Sequence, residues 1–144
     1  MADFGSAGRA ALLVLIAGAG LAAAAPARAP HLAVLSRIEP GQWQLKEPGA
    51  ASVARSLCVA DPAILLQLGH AGAQCTRLVI ADAPDSLIVH YDCPGTGHGR
   101  TTIAVETPHL LHLQTQGIAS GAPFDMNYEL RRTGDCTGRA VAAH

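Results

Sequence analysis

The chain has 144 residues, of which 49% are hydrophobic and 3% aromatic, and its ten basic and eleven acidic residues leave a formal net charge of −1. That length and apolar content suit one compact domain. The basic residues are scattered, so no basic cluster offers the phosphate-neutralising surface that nucleic-acid binding needs. Composition and charge therefore predict a single domain and exclude a nucleic-acid partner.

The N-terminal segment has the pattern of a secretory signal peptide. An uninterrupted apolar run covers residues 10–25, and small side chains occupy the positions required for cleavage after Ala27, with Ala24 as second choice. The run is also shorter than the ~20 residues that span a bilayer. We expect residues 1–27 to be removed, which makes the mature protein periplasmic or secreted; the alternative is an inner-membrane anchor through the same apolar run.

Residues 28–40 show little periodicity and are predicted to be an irregular segment. A β domain with four cysteines is then expected over residues 41–136, followed by a flexible tail at 137–144. In the first strand, predicted over Gln42 to Lys46, the alternation places Trp43 on the same face as Leu45. This pattern makes the tryptophan a core anchor and not a platform for a ligand.

One short helix is predicted after the first strand. Asp61 can cap its N-terminus, Pro62 suits its first position, and Gly69 can end it in a left-handed conformation. One side of this helix is expected to be buried against the sheet. That side carries Ile64, Leu65 and Leu68.

From Cys75 onward the apolar residues alternate with a period of two, which indicates antiparallel strands joined by hairpins. The predicted strands cover residues 76–80, 86–91, 100–106, 110–116 and 124–131. The inward-facing residues are predicted to be Leu78, Ile80, Leu87, Val89, Tyr91, Thr101, Ile103, Val105, Leu111, Leu113, Phe124, Met126, Tyr128 and Leu130. The fold class is therefore mainly β: a single antiparallel sheet or open barrel of about six strands, with the helix inserted after the first.

The four cysteines of the predicted mature part are Cys58, Cys75, Cys93 and Cys136. An even number in an exported chain predicts two disulfides, and the intervals lack the close cysteine pairs of zinc sites. If the first hairpin brings its apolar faces together, Cys75 and Cys93 point to opposite faces, and a bond between them needs a bulge or a slipped register. We therefore prefer Cys58–Cys75 with Cys93–Cys136, although sequence leaves the connectivity open.

This succession of features resembles one family. It comprises the "GQW" of Gly41 to Trp43, a cysteine before the short helix, Cys75 opening a hairpin, Cys93 closing it before a glycine turn, and the terminal "RRTGDC". The pattern is similar to the exported bacterial family called domain of unknown function 3617, in its alphaproteobacterial form, over roughly residues 38–136. The family has no established activity, so the resemblance implies a periplasmic setting and no catalytic residues.

The stretch "HYDCPGTGHGRTT", residues 90–102, is the main candidate for a site. Glycine loops that hold phosphate precede a helix, whereas a strand follows here, so residues 94–99 are predicted to connect two strands. Cys93 would anchor the base of this connection. His98 and Arg100, near its tip or exit, are the candidate binding residues.

No cofactor, metal site or catalytic residue is predicted. His112 is expected to face away from His109 on its own strand and to lie about 9.6 Å from His90, so these histidines cannot share one ion. Common hydrolase motifs are missing from the sequence. We expect a non-enzymatic binding module for an apolar ligand, an envelope component or a protein on the concave face of the sheet. The alternative is a structural or protective envelope protein without a small ligand; a metal-binding protein or hydrolase ranks below both.

Overall fold

The structure is a computed structural model that describes residues 32–49, 51 and 53–137. Its elements are the 3-10 helices η1 (Ala33–Arg37) and η2 (Pro62–His70) and the strands β1 (Gly41–Lys46), β2 (Arg55–Val59), β3 (Thr76–Asp82), β4 (Ser86–Cys93), β5 (Gly97–Thr107), β6 (Leu110–Ala119) and β7 (Ala122–Gly134). The predicted signal peptide and tail residues 138–144 lie outside the described residues.

All seven described strands form one open antiparallel sheet in the order β2-β1-β7-β6-β5-β4-β3. Strands β3 to β7 are a simple meander, and β1 pairs with the last of them. The predicted antiparallel sheet is confirmed. It contains one strand more than expected, because β2 forms before the helix and pairs with β1.

Alternation along the strands creates one apolar face, called the inner face here, which both 3-10 helices cover. Trp43 is fully buried in this core, as predicted. The segment expected to be irregular contains η1; Val34 of this helix and Ile38, the residue that follows it, join the core. The predicted inward residues that are buried comprise Leu87, Val89, Tyr91, Thr101, Ile103, Val105, Leu111, Leu113, Tyr128 and Leu130. The opposite side of the sheet, the open face, carries the polar half of the alternation.

Helix η2 begins as predicted but ends later. Pro62 is its first residue, and the Asp61 carboxylate accepts a hydrogen bond from a backbone amide of the first turn at 2.9 Å. The predicted left-handed ending at Gly69 is wrong, since the residue with positive φ (+79°) is Gly72. Gly69 is instead a packing glycine, because an added Cβ would lie 2.6 Å from the ring of Phe124.

The predicted buried side of the helix is wrong in part. Ile64 is 39% exposed, whereas Leu65 and Leu66 are buried. A 3-10 helix turns every three residues, and the backbone of η2 breaks at Gln67 (φ −136°, ψ 42°), so the spacing of an α-helix does not apply. Leu68 packs against the core from a half-buried position, as expected.

The predicted orientation of β3 is also wrong. Leu78 lies opposite His90 on the open face and is 65% exposed, and Ile80 is 51% exposed. The pairing with β4 shifts between Val79 and Ala81, which makes Ile80 the extra residue of a β-bulge. A shift of one residue in the pairing moves every side chain on the N-terminal side of the bulge to the other face of the sheet. Leu78 therefore points away from the core that it was predicted to join.

The same bulge explains why the preferred disulfide pairing is wrong. The two disulfides are present but join Cys75 to Cys93, with Cα atoms 4.1 Å apart, and Cys58 to Cys136, with Cα atoms 5.5 Å apart. The bulge brings the first pair into register on neighbouring strands. The second pair forms at the start of β1, where Gln42 lies opposite Cys58 of β2 on one side and opposite Gly134, two residues before Cys136, on the other.

Two disulfides fit an extracellular or periplasmic location, since such bonds persist in oxidising compartments. Among the described residues, no helix is long and apolar enough to cross a membrane.

Candidate functional site

The core contains a buried polar cluster on the inner face of β4, β5 and β6. It joins His70 of η2 to three strand residues that have no exposed surface: Tyr91, Thr101 and Thr115. Thr101 donates a hydrogen bond to Thr115 at 2.9 Å, Thr115 is hydrogen-bonded to the Tyr91 phenol, and that phenol lies 3.3 Å from Nδ1 of His70. Burial raises the pKa of Tyr91 above its ordinary value, and the bond with Thr115 offsets part of the rise.

Aromatic edges and a glycine hold this cluster in place. The His70 ring lies edge-on between Tyr91 and Phe124, at centroid distances of 5.4 and 5.7 Å. A Cβ on Gly99 would lie 2.4 Å from the Tyr91 oxygen, so only glycine leaves room for that ring. Nε2 of His70 has no hydrogen-bond partner among the described residues. Because the hydroxyl groups are closed to solvent, we assign the cluster a structural role.

The open face of the same strands carries a different set of polar groups. His90, Arg100, Gln116 and Asp125 are successive register partners across β4, β5, β6 and β7, so their side chains form one row. His98, two residues before Arg100 on β5, projects from the same face, and its ring centroid lies 6.1 Å from that of His90. These five side chains line a depression of about 430 Å³, which we call the open-face depression.

The charged groups of the depression have no protein partners within the described part of the chain. Elsewhere on the open face, His112 pairs with Glu106 at 2.8 Å and Arg131 with Glu129 at 2.7 Å. None of the described ion pairs or side-chain hydrogen bonds involves Arg100 or the depression's other charged or titratable side chains. An arginine without a carboxylate partner keeps all of its donors free for an anion.

The depression does not have the ligands of a metal centre. Over residues 32–49, 51 and 53–137, no group of three or more His, Cys, Asp or Glu side chains could hold an ion. His112 contacts a glutamate of a neighbouring strand, and His109 contacts Glu39.

The two predicted site residues, His98 and Arg100, therefore lie together, but not at the tip of a loop. The connection is only residues 94–96, where Gly95 has a φ of +80°, and Cys93 already pairs with Gly97. The rest of the predicted loop belongs to β5.

Sequence reasoning missed three residues of the depression: His90, Gln116 and Asp125. Each lies at an outward position of its strand, so the alternation predicts which face of the sheet it occupies. That the three lie beside Arg100 depends on the register of three successive hairpins, which the sequence alone did not fix.

Comparison with protein-family models, with curated proteins and with solved structures gave no match for this chain.

Proposed function

We propose that this protein is an exported, non-enzymatic binding module that takes a polar anionic ligand of the cell envelope in the open-face depression. The observation that carries the proposal is Arg100, an exposed arginine without a carboxylate partner that lies beside two histidines in the depression. Export rests on the signal peptide predicted over residues 1–27 with cleavage after Ala27, and the resemblance to domain of unknown function 3617 agrees with that setting.

The chemistry of the depression favours a carboxylate or phosphate that carries hydroxyl groups. A guanidinium binds either anion through two parallel hydrogen bonds. The imidazoles of His90 and His98 add further N–H donors on the same side. The Asp125 carboxylate can accept hydrogen bonds, for example from hydroxyl groups, but cannot donate them. The Gln116 amide can both donate and accept. A ligand with one anionic group and neighbouring hydroxyls satisfies all of these side chains.

The inner face supports an apolar ligand less well. Composition favoured such a ligand, but η1 and η2 cover this face, and Val34, Leu65 and Leu66 fill it from the helix side. Both depressions lie on the open face; Ile118 and Phe124 add apolar surface to the first, but its charged and amide side chains come from the row between His90 and Asp125.

The test is calorimetric titration of the purified protein with galacturonate and with glucose 1-phosphate, a carboxylate probe and a phosphate probe. We expect at least one to bind, and Arg100→Gln to weaken that binding about tenfold or more, since a hydrogen bond to a charged group is worth about 1.5–3 kcal/mol. The matched control is Arg131→Gln, which removes an arginine of the same face that is paired with Glu129. Equal losses in both variants, or no binding of either probe, would contradict the proposal.

A structural role is the second candidate, and the exposed β3 strand favours it. This strand lies at the edge of the sheet, and its Leu78, Val79 and Ile80 are 65%, 36% and 51% exposed. An apolar edge strand is a surface on which other chains can pair. Sedimentation velocity of the titrated samples separates the two candidates, because the binding module is expected to be monomeric and a structural protein to self-associate.

A further inference from the structure

The open face carries carboxamide side chains on three of its strands. They are Gln42 and Gln44 on β1, Gln114 and Gln116 on β6, and Asn127 on β7. Gln114 lies directly opposite Asn127 in the register. Within the described residues, none of these five amides makes a side-chain hydrogen bond, whereas the buried Gln67 donates to two carbonyls.

Two of these amides extend the depression into a groove. A second depression, of about 180 Å³, is lined by Arg100, Thr102, Gln114 and Gln116, and it shares two of these residues with the first. The two together follow β5 from His98 to Thr102 and the neighbouring stretch of β6. Four residue steps of about 3.3 Å give the groove a length of about 13 Å. That length exceeds the size of one sugar or one phosphate group.

Resting on the binding function proposed above, we infer that the ligand is an acidic oligosaccharide, a short chain of sugars that includes a uronic acid. A carboxamide both donates and accepts hydrogen bonds, and so does each sugar hydroxyl. The groove therefore offers Arg100 midway along its length for the carboxylate, with amides and a threonine hydroxyl beside and beyond it. A uronic acid joined to neutral sugars carries the matching groups: one anionic contact and several neutral polar contacts.

Other polymers of similar length fit less well. Single-stranded nucleic acid needs aromatic platforms and a run of cations. The aromatic side chain beside this groove is Phe124, which packs edge-on against His70, and Asp125 adds a negative charge that repels a polyphosphate chain. The net charge of −1 acts in the same direction.

The experiment is calorimetric titration with galacturonate, an acidic trisaccharide of one galacturonic acid and two neutral galactoses, the neutral trisaccharide maltotriose and a thymidine trinucleotide. We expect the acidic trisaccharide to bind at least about fivefold more tightly than galacturonate, which is the gain from about one additional hydrogen bond. Gln114→Ala should remove about that gain and leave galacturonate unchanged. Gln44→Ala, which removes an amide of the open face outside the groove, should change neither affinity.

The outcomes separate this inference from the proposed function. Equal affinity for galacturonate and the acidic trisaccharide, with both lost in Arg100→Gln, would overturn the oligosaccharide and leave anion binding in place. Tighter binding of maltotriose or of the trinucleotide than of the acidic trisaccharide would also overturn it. If neither the uronic acids nor glucose 1-phosphate bind, or if Arg100→Gln changes nothing, the proposed function fails as well.

Discussion

The two faces of strands β4 to β6 carry polar side chains in opposite states. On the inner face, His70, Tyr91, Thr101 and Thr115 are buried and hydrogen-bonded to one another, and Tyr91 fills the space above a glycine. On the open face, the imidazoles and the guanidinium of the depression are exposed, and the described part of the chain supplies them with no partner.

This difference shows how residue type alone can mislead. Histidine occurs on both faces, but a buried ring that is bonded to a neighbour contributes to stability, whereas an exposed ring without a partner can contribute to recognition. If the two faces have these different roles, substitutions in the buried cluster of the inner face change the free energy of unfolding. Substitutions in the open-face depression then change ligand binding.

The largest effect is expected from the disulfide next to the inner cluster. Replacing Cys75 and Cys93 together by serine should lower the free energy of unfolding by about 3 kcal/mol, because the bond closes a loop of 18 residues. Urea unfolding measures this loss. The single variant Cys75→Ser should leave Cys93 as the reactive thiol in denaturant; labelling of Cys58 instead would show that the pairing is different.

A smaller effect is expected from the Tyr91 hydroxyl. Tyr91→Phe should cost about 1–2 kcal/mol near neutral pH, since it leaves Nδ1 of the buried His70 ring without the hydroxyl partner that it has in the wild type. Tyr128→Phe, which removes a hydroxyl that accepts a hydrogen bond from Arg55, serves as the control.

The same variant tests the pH dependence of stability. Burial raises the pKa of Tyr91, so the folded protein keeps this proton at a pH where the unfolded chain has lost it. Its contribution is therefore complete below the ordinary tyrosine pKa of about 10, and it is lost as pH rises through the pKa of the folded state. The free energy of unfolding should fall above about pH 10 in the wild type and in Tyr128→Phe, and fall less in Tyr91→Phe. Equal slopes in all three would contradict the burial argument.

The smallest effect on stability is expected on the open face. Arg100→Gln should change the free energy of unfolding by no more than about 0.5 kcal/mol, because this exposed side chain has no described partner to lose. Thermal or urea unfolding at neutral pH measures this change. A loss of several kcal/mol would mean that the arginine stabilises the sheet, and a loss of binding in that variant would then no longer identify a ligand contact.

The sequence by itself determined the fold class, most of the core and the presence of two disulfides. Strand alternation is a local property, so Trp43, Ile103 and Leu113 could be assigned to the inner face from their own neighbours. The alternation also placed Arg100 at an outward position of its strand, but His98 was predicted to lie in the connecting loop because of the glycines around it.

Only the tertiary structure decided the quantities that depend on register. One bulge at Ile80 reversed the faces of the preceding part of β3 and brought Cys75 opposite Cys93, and no residue of that strand signals the bulge locally. The pairing of β1 with β7 brought Cys58 to Cys136 across 78 residues of sequence. The open-face depression exists for the same reason, since three successive hairpin registers align His90 with Asp125. Periodicity specifies which side of a strand a residue occupies, but only pairing specifies its neighbours.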